Sequence, residues 1–317
     1  MATNAQVAAR AGVSTATVSR AINGTARVNP DTHQRVTKAA RDLDYTPSAK
    51  AVALAKGERT MVAALAPVGL PDAVIGPLVT HASAVAPDVS FISVVSRPHL
   101  DVELRRLARD DRIAAVLSIS MTPRPGQANW FAAGRPPLIA AGARARGGSF
   151  VARDERAAGH LAAQFLLDRG HRSIAFVAGD PSPAPYADPS ADRLLGYSDA
   201  LRQVRTGISC VARRVADKAS ASKVLRRLMC RSRPPTGVVA ATADVALQVM
   251  LAGVQQLAIE TVTFDDSPDP ERLGLTAVGG ERPWPMALDM VAQAIHCSQW
   301  APVEAHIRPV LVERHLA

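Results

Sequence analysis

Side chains suited to bind nucleic acid are concentrated between positions 14 and 29 of the chain. Most of them carry hydroxyl, amide or guanidinium groups, which donate hydrogen bonds to phosphate oxygens or to base edges in the grooves of a duplex. Contacts with base edges are predicted for Thr15, Ala16 and Arg20. Contacts with the phosphate backbone are predicted for Ser14, Thr17, Ser19, Asn23, Arg27 and Asn29. The stretch therefore predicts a surface that binds double-stranded DNA.

The residues before this stretch predict a first helix and a turn that would hold it in place. Apolar residues recur at helical spacing between Val7 and Ala11. Thr3 and Gln6 have the spacing of a capping box, in which two side chains bond the first amides of a helix. Gly12 follows, at the point where a tight turn requires a positive φ.

A second helix over Thr15–Asn23 is predicted to begin after Ser14, a favourable N-cap residue. Val18 and Ile22 lie on one side of it, and small or hydroxylated residues on the other would allow close approach to a duplex. The two helices are interpreted as a helix-turn-helix whose second helix enters the major groove. An ordinary helical hairpin is the alternative, because glycine turns between short helices are common.

The string over residues 7–24 resembles the signature of the lactose-repressor (LacI/GalR) family of bacterial regulators. That signature reads V-A-x-x-A-G-V-S-x-x-T-V-S-R-x-x-N-G, and this sequence meets every fixed position. The resemblance implies a homodimeric transcriptional regulator, most simply a repressor, that binds a near-palindromic operator. It also implies a small-molecule effector such as a sugar, a nucleoside or a related metabolite.

A third helix is predicted after Asn29, because an N-cap residue, a proline and an acid follow one another there. It would close an all-α head over residues 1–47. Residues 48–58 form an Ala-rich segment too short to be a stable helix alone. The resemblance implies a hinge helix there that enters the minor groove through Ala51, Leu54 and Ala55, with Leu54 as an apolar wedge. A plain linker is the alternative.

The net charge supports a polyanionic partner for the head. The chain carries a formal charge of +9, and residues 1–60 hold nine Lys or Arg against four Asp or Glu. The other 257 residues hold 28 basic and 24 acidic residues. The excess is therefore densest in the N-terminal segment, as expected where DNA binds, although a solvated basic surface would have the same composition.

Beyond residue 60, apolar runs alternate with helical patterns, which predicts parallel α/β sheets covered on both faces. The predicted strands are residues 61–66, 89–95, 113–119, 138–141, 174–178, 237–241 and 260–264. The predicted helices are residues 156–169, 190–204, 220–229 and 243–257. By resemblance the body, residues 59–317, is a two-lobed periplasmic-binding-protein-like sensor. Its first lobe would comprise about 59–150 plus 279–300, and its second about 151–278 plus 301–317, so that residues 285–296 pack on the first lobe.

Three residues are predicted to bind the effector between the lobes. Arg193 opens a segment that resembles the family's R-x-x-G-[FY] element, and Asp154 falls at its V-D-N strand end. Asp265 follows a predicted buried strand, where ligands of open α/β sheets collect. The alternative is that Arg193, Asp265 and Asp266 pair with one another or cap helices.

The effector region also departs from the family pattern. The family's A-N-D tripeptide is replaced by Thr242-Ala243-Asp244, and the chain holds only three Tyr and three Trp to stack on a ligand. An unusual effector, a degraded pocket in a solute-binding sensor, and an activator or corepressor-dependent regulator therefore stay open as alternatives.

Catalytic function is not expected, because the sequence has no nucleophile-elbow, phosphate-loop, zinc-protease or dinucleotide motif. Its eight histidines and three cysteines lack metal-ligand spacing, so neither a cofactor nor a metal is expected. An enzyme on the same two-lobed fold is disfavoured, although fold alone does not decide it. The sequence shows no signal peptide and no membrane-spanning apolar run, which predicts a cytoplasmic protein without membrane attachment.

Overall fold

The structure is a computed structural model, and it describes most of the 317 residues. The described residues are 2–24, 27–45, 59, 61–67, 76–77, 80–82, 84, 90–96, 100–131, 136–145, 147–180, 187–204, 209–215, 218–251, 259–264, 274–297 and 300–314.

Three helices form the N-terminal head, and their ends follow the capping residues in the sequence. They are α1 (Asn4–Ala11), α2 (Thr15–Asn23) and α3 (Pro30–Asp42). The capping box between Thr3 and Gln6 is present, and Gly12 ends α1 at φ 65°. All three helices contribute to one apolar core. Its buried members are Val7, Ala8, Ala11, Val18, Ala21, Val36 and Ala39. The predicted helix-turn-helix is confirmed.

The body contains two separate six-stranded sheets. The first is built from β1 (Met61–Pro67), β2 (Ser90–Ser96), β3 (Ile113–Ile119), β4 (Leu138–Ala141), β5 (Ser149–Arg153) and β11 (Glu304–Ile307). Its order is β2-β1-β3-β4-β5-β11, and all the pairs are parallel.

The second sheet follows the same plan with one antiparallel edge. Its strands are β6 (Ser173–Gly179), β7 (Ser209–Val215), β8 (Gly237–Ala240), β9 (Glu260–Phe264), β10 (Thr276–Gly279) and β12 (Val310–Val312). The order is β7-β6-β8-β9-β10-β12, and β12 runs antiparallel to β10.

Helices cover both faces of the two sheets, as parallel sheets require. They are α4 (Leu100–Leu107), α5 (Pro125–Ala128), α6 (Glu155–Asp168), α7 (Ser190–Gln203), α8 (Lys218–Met229), α9 (Ala243–Leu251) and α10 (Pro283–His296). On the second sheet, α6 and α7 pack on one face and α8 and α9 on the other. Alternate strand residues supply the two cores: Phe176 faces α6 and α7, whereas Val177 faces α8 and α9.

Helix α10 lies on the first sheet although it follows the second in sequence. Its residues Ala287, Leu288 and Val291 are buried against strands β1, β3, β4 and β5. The packing of residues 285–296 on the first lobe is therefore as predicted.

The two predicted lobe boundaries need correction. Strand β5 lies wholly in the first sheet, so the chain leaves that sheet after Arg153 and not at residue 150. Strand β11 pairs with β5 in the same sheet, whereas residues 301–317 were assigned to the second lobe. The reason is that the chain crosses from one sheet to the other a third time, between β11 and β12, and no local pattern in the sequence indicates this crossing.

Five strands, β5, β7, β10, β11 and β12, are missing from the predicted strands, although the resemblance implied the strand end at Asp154 that β5 provides. Strand β7 contains two consecutive arginines, which interrupt its apolar run. Strands β10, β11 and β12 are only three or four residues long, and β11 and β12 expose at least half of their residues at sheet edges. Short edge strands lack the buried apolar run that reveals a central strand.

Candidate nucleic-acid interface and ligand cleft

The N-terminal end of α2 is fixed by a hydroxyl cap. The Oγ of Ser14 accepts a hydrogen bond from the amide of Thr17 at 3.1 Å and lies 2.9 Å from the Oγ1 of Thr17. The first turn of a helix leaves amide N–H groups without intrahelical partners, and these bind anions well. One of the two hydroxyl hydrogens is used between Ser14 and Thr17, so the other can still reach a phosphate oxygen.

The predicted base-contact residues share the outer face of α2. Thr15, Ala16 and Arg20 are exposed, whereas Val18 and Ala21 are buried in the head core. Among the ion pairs of the described residues, none involves Arg20. The outer face of the helix therefore presents small side chains and one arginine, which would let it enter a major groove and contact base edges there.

The other predicted DNA contacts are placed unevenly. Asn29 caps α3 by accepting a hydrogen bond from the amide of Asp31 at 2.9 Å, which leaves its side-chain N–H₂ as a donor. Arg27 is exposed and Ser19 is partly buried. Asn23 is the last residue of α2. The predicted hinge residues Ala51, Leu54 and Ala55 lie outside the described residues.

The body holds a second basic segment that the comparison of charge between head and body did not reveal. Residues 205–243 contain nine Lys or Arg and a single acid, Asp217. Arg226 and Arg227, on α8, are exposed members of this segment. The chain's positive charge is therefore concentrated in two places, and the head is only one of them.

Arg193 is nearly enclosed at the C-terminal ends of the second sheet's strands. It is 5% exposed, and its Nε donates to the Oε2 of Glu155 at 2.6 Å. Its NH1 donates to the carbonyl of Ala241, just after β8, and its guanidinium lies 4.6 Å from the ring centre of Phe264, the last residue of β9. A buried charge needs such a counter-ion.

The segment from Arg193 to Tyr197 owes its spacing to the way α7 crosses α6. A Cβ on Gly196 would fall on the backbone carbonyl of Arg156, and a Cβ on Gly159 on the carbonyl of Arg193. The helices therefore touch backbone to backbone. Tyr197 points into the core, where its hydroxyl donates to the carbonyl of Ile174 at 2.8 Å. Arg193 thus lies at the cleft, Gly196 allows the two helices to cross closely, and Tyr197 packs in the core.

Glu155 and Arg153 belong to this site, and sequence reasoning missed both. The Oε1 of Glu155 lies 3.6 Å from the Nε of Arg153, whose NH1 donates to the carbonyl of Val278 at 2.9 Å. Arg153 ends β5 in the first sheet, whereas Val278 belongs to β10 in the second. The network therefore joins the two lobes. Its only sequence signal was the departure of Arg153-Asp154-Glu155 from V-D-N.

The structure gives Asp154 a capping role. Its Oδ1 accepts from the amide of Ala157 at 3.0 Å at the start of α6. Its carboxylate also lines a groove of ≈ 470 Å³ with Arg156, His160 and Asp199, among other residues of α6 and α7. The effector contact predicted for Asp154 stays a prediction. Asp265 lies outside the described residues.

No group of three or more His, Cys, Asp or Glu is arranged to hold a metal ion within the described part of the chain. None of the described helices is both long enough and apolar enough to cross a membrane.

Two family models match parts of the chain. Residues 5–48 match the family described as "Bacterial regulatory proteins, lacI family". Residues 163–260 match the periplasmic binding protein-like domain. The first match covers the three-helix head, and the second begins within α6 and ends at the start of β9.

Individual relatives agree with these assignments. The HTH-type transcriptional regulator AglR of Rhizobium meliloti (strain 1021) is 29% identical, over 78% of this chain and 71% of the relative. The HTH-type transcriptional regulator GalR of Escherichia coli (strain K12) is 28% identical, over 75% and 70%. The lac repressor dimer bound to operator and the anti-inducer ONPF has a similar fold, with a TM-score of 0.72 and 20% identity over 99% and 98% of the two chains.

Proposed function

We propose that this chain, which belongs to the lacI family of bacterial regulatory proteins, is a homodimeric transcriptional repressor. In this proposal its head binds a near-palindromic operator, and a small molecule bound between the lobes modulates the affinity for DNA. The relatives AglR and GalR, which are named HTH-type transcriptional regulators, support the regulatory role, and the likeness to the lac repressor dimer bound to operator and the anti-inducer ONPF supports the fold.

The observation that carries the proposal is the surface of α2. A helix with buried Val18 and Ala21 on one side exposes Thr15, Ala16 and Arg20 on the other. In this proposal those three residues contact base edges. The phosphate contacts are assigned to Ser14, Thr17, Ser19, Asn23, Arg27 and Asn29.

Three further assignments belong to the same proposal. Residues 1–47 form the head, residues 48–58 form a hinge with Leu54 as a minor-groove wedge, and the rest forms the sensor body. Effector contacts are assigned to Arg193, Asp154 and Asp265. The protein acts in the cytoplasm, where the DNA is, and it performs no catalysis.

Coupling between the two sites follows from thermodynamic linkage. An effector that weakens operator binding must itself bind less tightly to the DNA-bound form, by the same factor. Arg153 and Val278 lie on different sheets and share a hydrogen bond, so a ligand near them changes a contact between lobes.

Selection of bound sequences from a random duplex pool tests the proposal. At about physiological salt, where non-specific binding is weak, the full-length protein should enrich a near-palindromic motif. A pool with no enriched motif would mean that the head recognises only charge or needs a corepressor, and the proposal would fail.

A further inference from the structure

The carboxylate of Glu155 lies between two arginines at the crossing from the first sheet to the second. It is 2.6 Å from Arg193 and 3.6 Å from Arg153. The side chains of Glu155, Arg193 and Arg153 are only 19%, 6% and 14% exposed, respectively, so little water reaches the contact. A charge pair shielded in this way is stronger than a surface pair, which water and salt weaken.

Glu155 is the only acid that pairs with Arg193 among the described residues. The other partners of Arg193, the carbonyl of Ala241 and the ring of Phe264, are uncharged. A guanidinium enclosed this far needs an anion beside it, because an unpaired charge is costly to remove from water. In this chain α6 itself supplies that anion through its first residue.

The position of the pair matters because it lies at the C-terminal ends of β8 and β9. Small molecules bound by open parallel sheets collect at this edge. A ligand carrying a carboxylate or phosphate would be expected to place that group on a buried arginine. Here Glu155 already occupies that side of Arg193.

We infer that Glu155 is a built-in anion in the effector site, so that the site takes an uncharged, hydroxyl-bearing ligand and not a phosphorylated or carboxylated one. The inference rests on the proposed role of the cleft as the effector site. An acidic ligand would have to displace Glu155 from Arg193, whereas hydroxyl groups can bond a donor of the Arg193 guanidinium without displacing it.

The test removes the built-in anion and offers a free one. In full-length Glu155→Ala, formate should bind beside Arg193 and raise the midpoint of thermal unfolding in a saturable way, compared with chloride at equal ionic strength. Inorganic phosphate serves as a second, larger anion. The wild type should require at least ten times more formate for the same response. Glu155→Gln should not respond, because its amide fills the space without the charge.

Asp199→Ala is the matched control. It removes the carboxylate that pairs with Arg156 at 2.6 Å between the same two helices, but that arginine is 61% exposed. It should show no specific response to formate.

Two results would overturn the inference. One is wild-type protein that binds formate or phosphate as tightly as Glu155→Ala, because Arg193 would then be open to free anions. The other is Glu155→Ala that folds and ignores both anions. If Glu155→Ala does not fold, the double variant Glu155→Gln with Arg193→Gln decides. It should unfold at a higher temperature than Glu155→Gln alone, and an equal or lower midpoint contradicts the pairing.

None of these measurements uses DNA. A failure here would therefore leave the operator-binding proposal standing, and a failure of the DNA selection would leave the anion measurements interpretable.

Discussion

The head and the cleft are assembled from contacts of very different range along the chain. In the head, the cap of α2 joins Ser14 to Thr17, three residues apart. In the cleft, Arg193 meets Glu155, Ala241 and Phe264, which lie 38, 48 and 71 residues away in the sequence. Local rules of capping and turn geometry therefore describe the head well, whereas the cleft depends on how helices and strands cross.

The largest effect is expected where the cleft depends on backbone contact. Gly196→Ala would place a methyl group on the carbonyl of Arg156, so α7 would have to move away from α6. Overpacking that forces the backbone to shift costs roughly 1–3 kcal/mol and occasionally more. Thermal unfolding should show a much lower midpoint for the body.

Gly126→Ala is the control for that change, because a Cβ there meets nothing within 4 Å. It should leave the midpoint nearly unchanged. Equal midpoints for the two variants would mean that the helix crossing does not position Arg193.

The next effect concerns specificity in the head. Arg20→Ala should weaken binding to the selected operator by about 1–3 kcal/mol and relax the preference at one base position. Arg226→Ala, which removes an exposed arginine from α8 in the body, is the control and should change operator affinity little. Fluorescence anisotropy on operator and scrambled duplexes separates the two. Equal losses on both duplexes for Arg20→Ala would exclude a base contact.

A smaller effect is expected at Ser14, where two variants separate the stability of α2 from DNA binding. Ser14→Ala should lower the opening free energy of α2 by about 1 kcal/mol, because the cap is lost. Ser14→Asp keeps an N-cap acceptor but places a negative charge near the phosphates. Amide hydrogen exchange should show α2 protected in Ser14→Asp and less protected in Ser14→Ala, whereas both should bind DNA less tightly. Unimpaired DNA binding by Ser14→Asp would argue against a phosphate near Ser14.

The smallest effect lies at a local contact within the body. Asp110 accepts hydrogen bonds from the backbone amide and guanidinium of Arg112 at 2.8–3.0 Å, and the Arg112 side chain lowers the pKa of Asp110 from its ordinary 3.8 to about 2. Because this pKa is lower in the folded state, the pair stabilises the fold above about pH 3.8, and that contribution is lost as the pH falls through 2.

Urea unfolding of Asp110→Asn should therefore show a small loss of stability at pH 6 that shrinks towards pH 2. A loss that is constant with pH would mean that the carboxylate charge is not responsible. Asp111→Asn is the neighbouring control, since no ion pair joins Asp111 to a described residue.

The sequence predicted the head in detail, because each of its signals acts within a few residues. Gly12 has the positive φ that the turn requires, and the exposed faces of Thr15 and Arg20 follow from the buried position of Val18. It also predicted the interior strands β1, β3, β4, β6, β8 and β9, whose described residues are almost all buried, as in β3, but it missed the interior strands β5 and β10.

The cleft could be predicted only in part. Arg193 was identified as a site residue, but its partner was not, because nothing near Arg193 indicates that Glu155 lies beside it. Glu155 comes directly after the chain leaves the first sheet, and that crossing was placed three residues too early. An ion pair across such a crossing depends on the packing of α6 on α7, which only the folded chain reveals.

The central claim is that the exposed face of α2 reads DNA sequence, and a specificity ratio tests it most directly. The dissociation constants of full-length protein for the selected operator and for a scrambled duplex of equal length are measured at about 0.15 M salt. Specific binding predicts a ratio of at least ~10³, and Arg20→Ala should reduce it by about 10-fold or more. A ratio near one, with both affinities falling equally steeply as salt rises, would contradict sequence reading by α2.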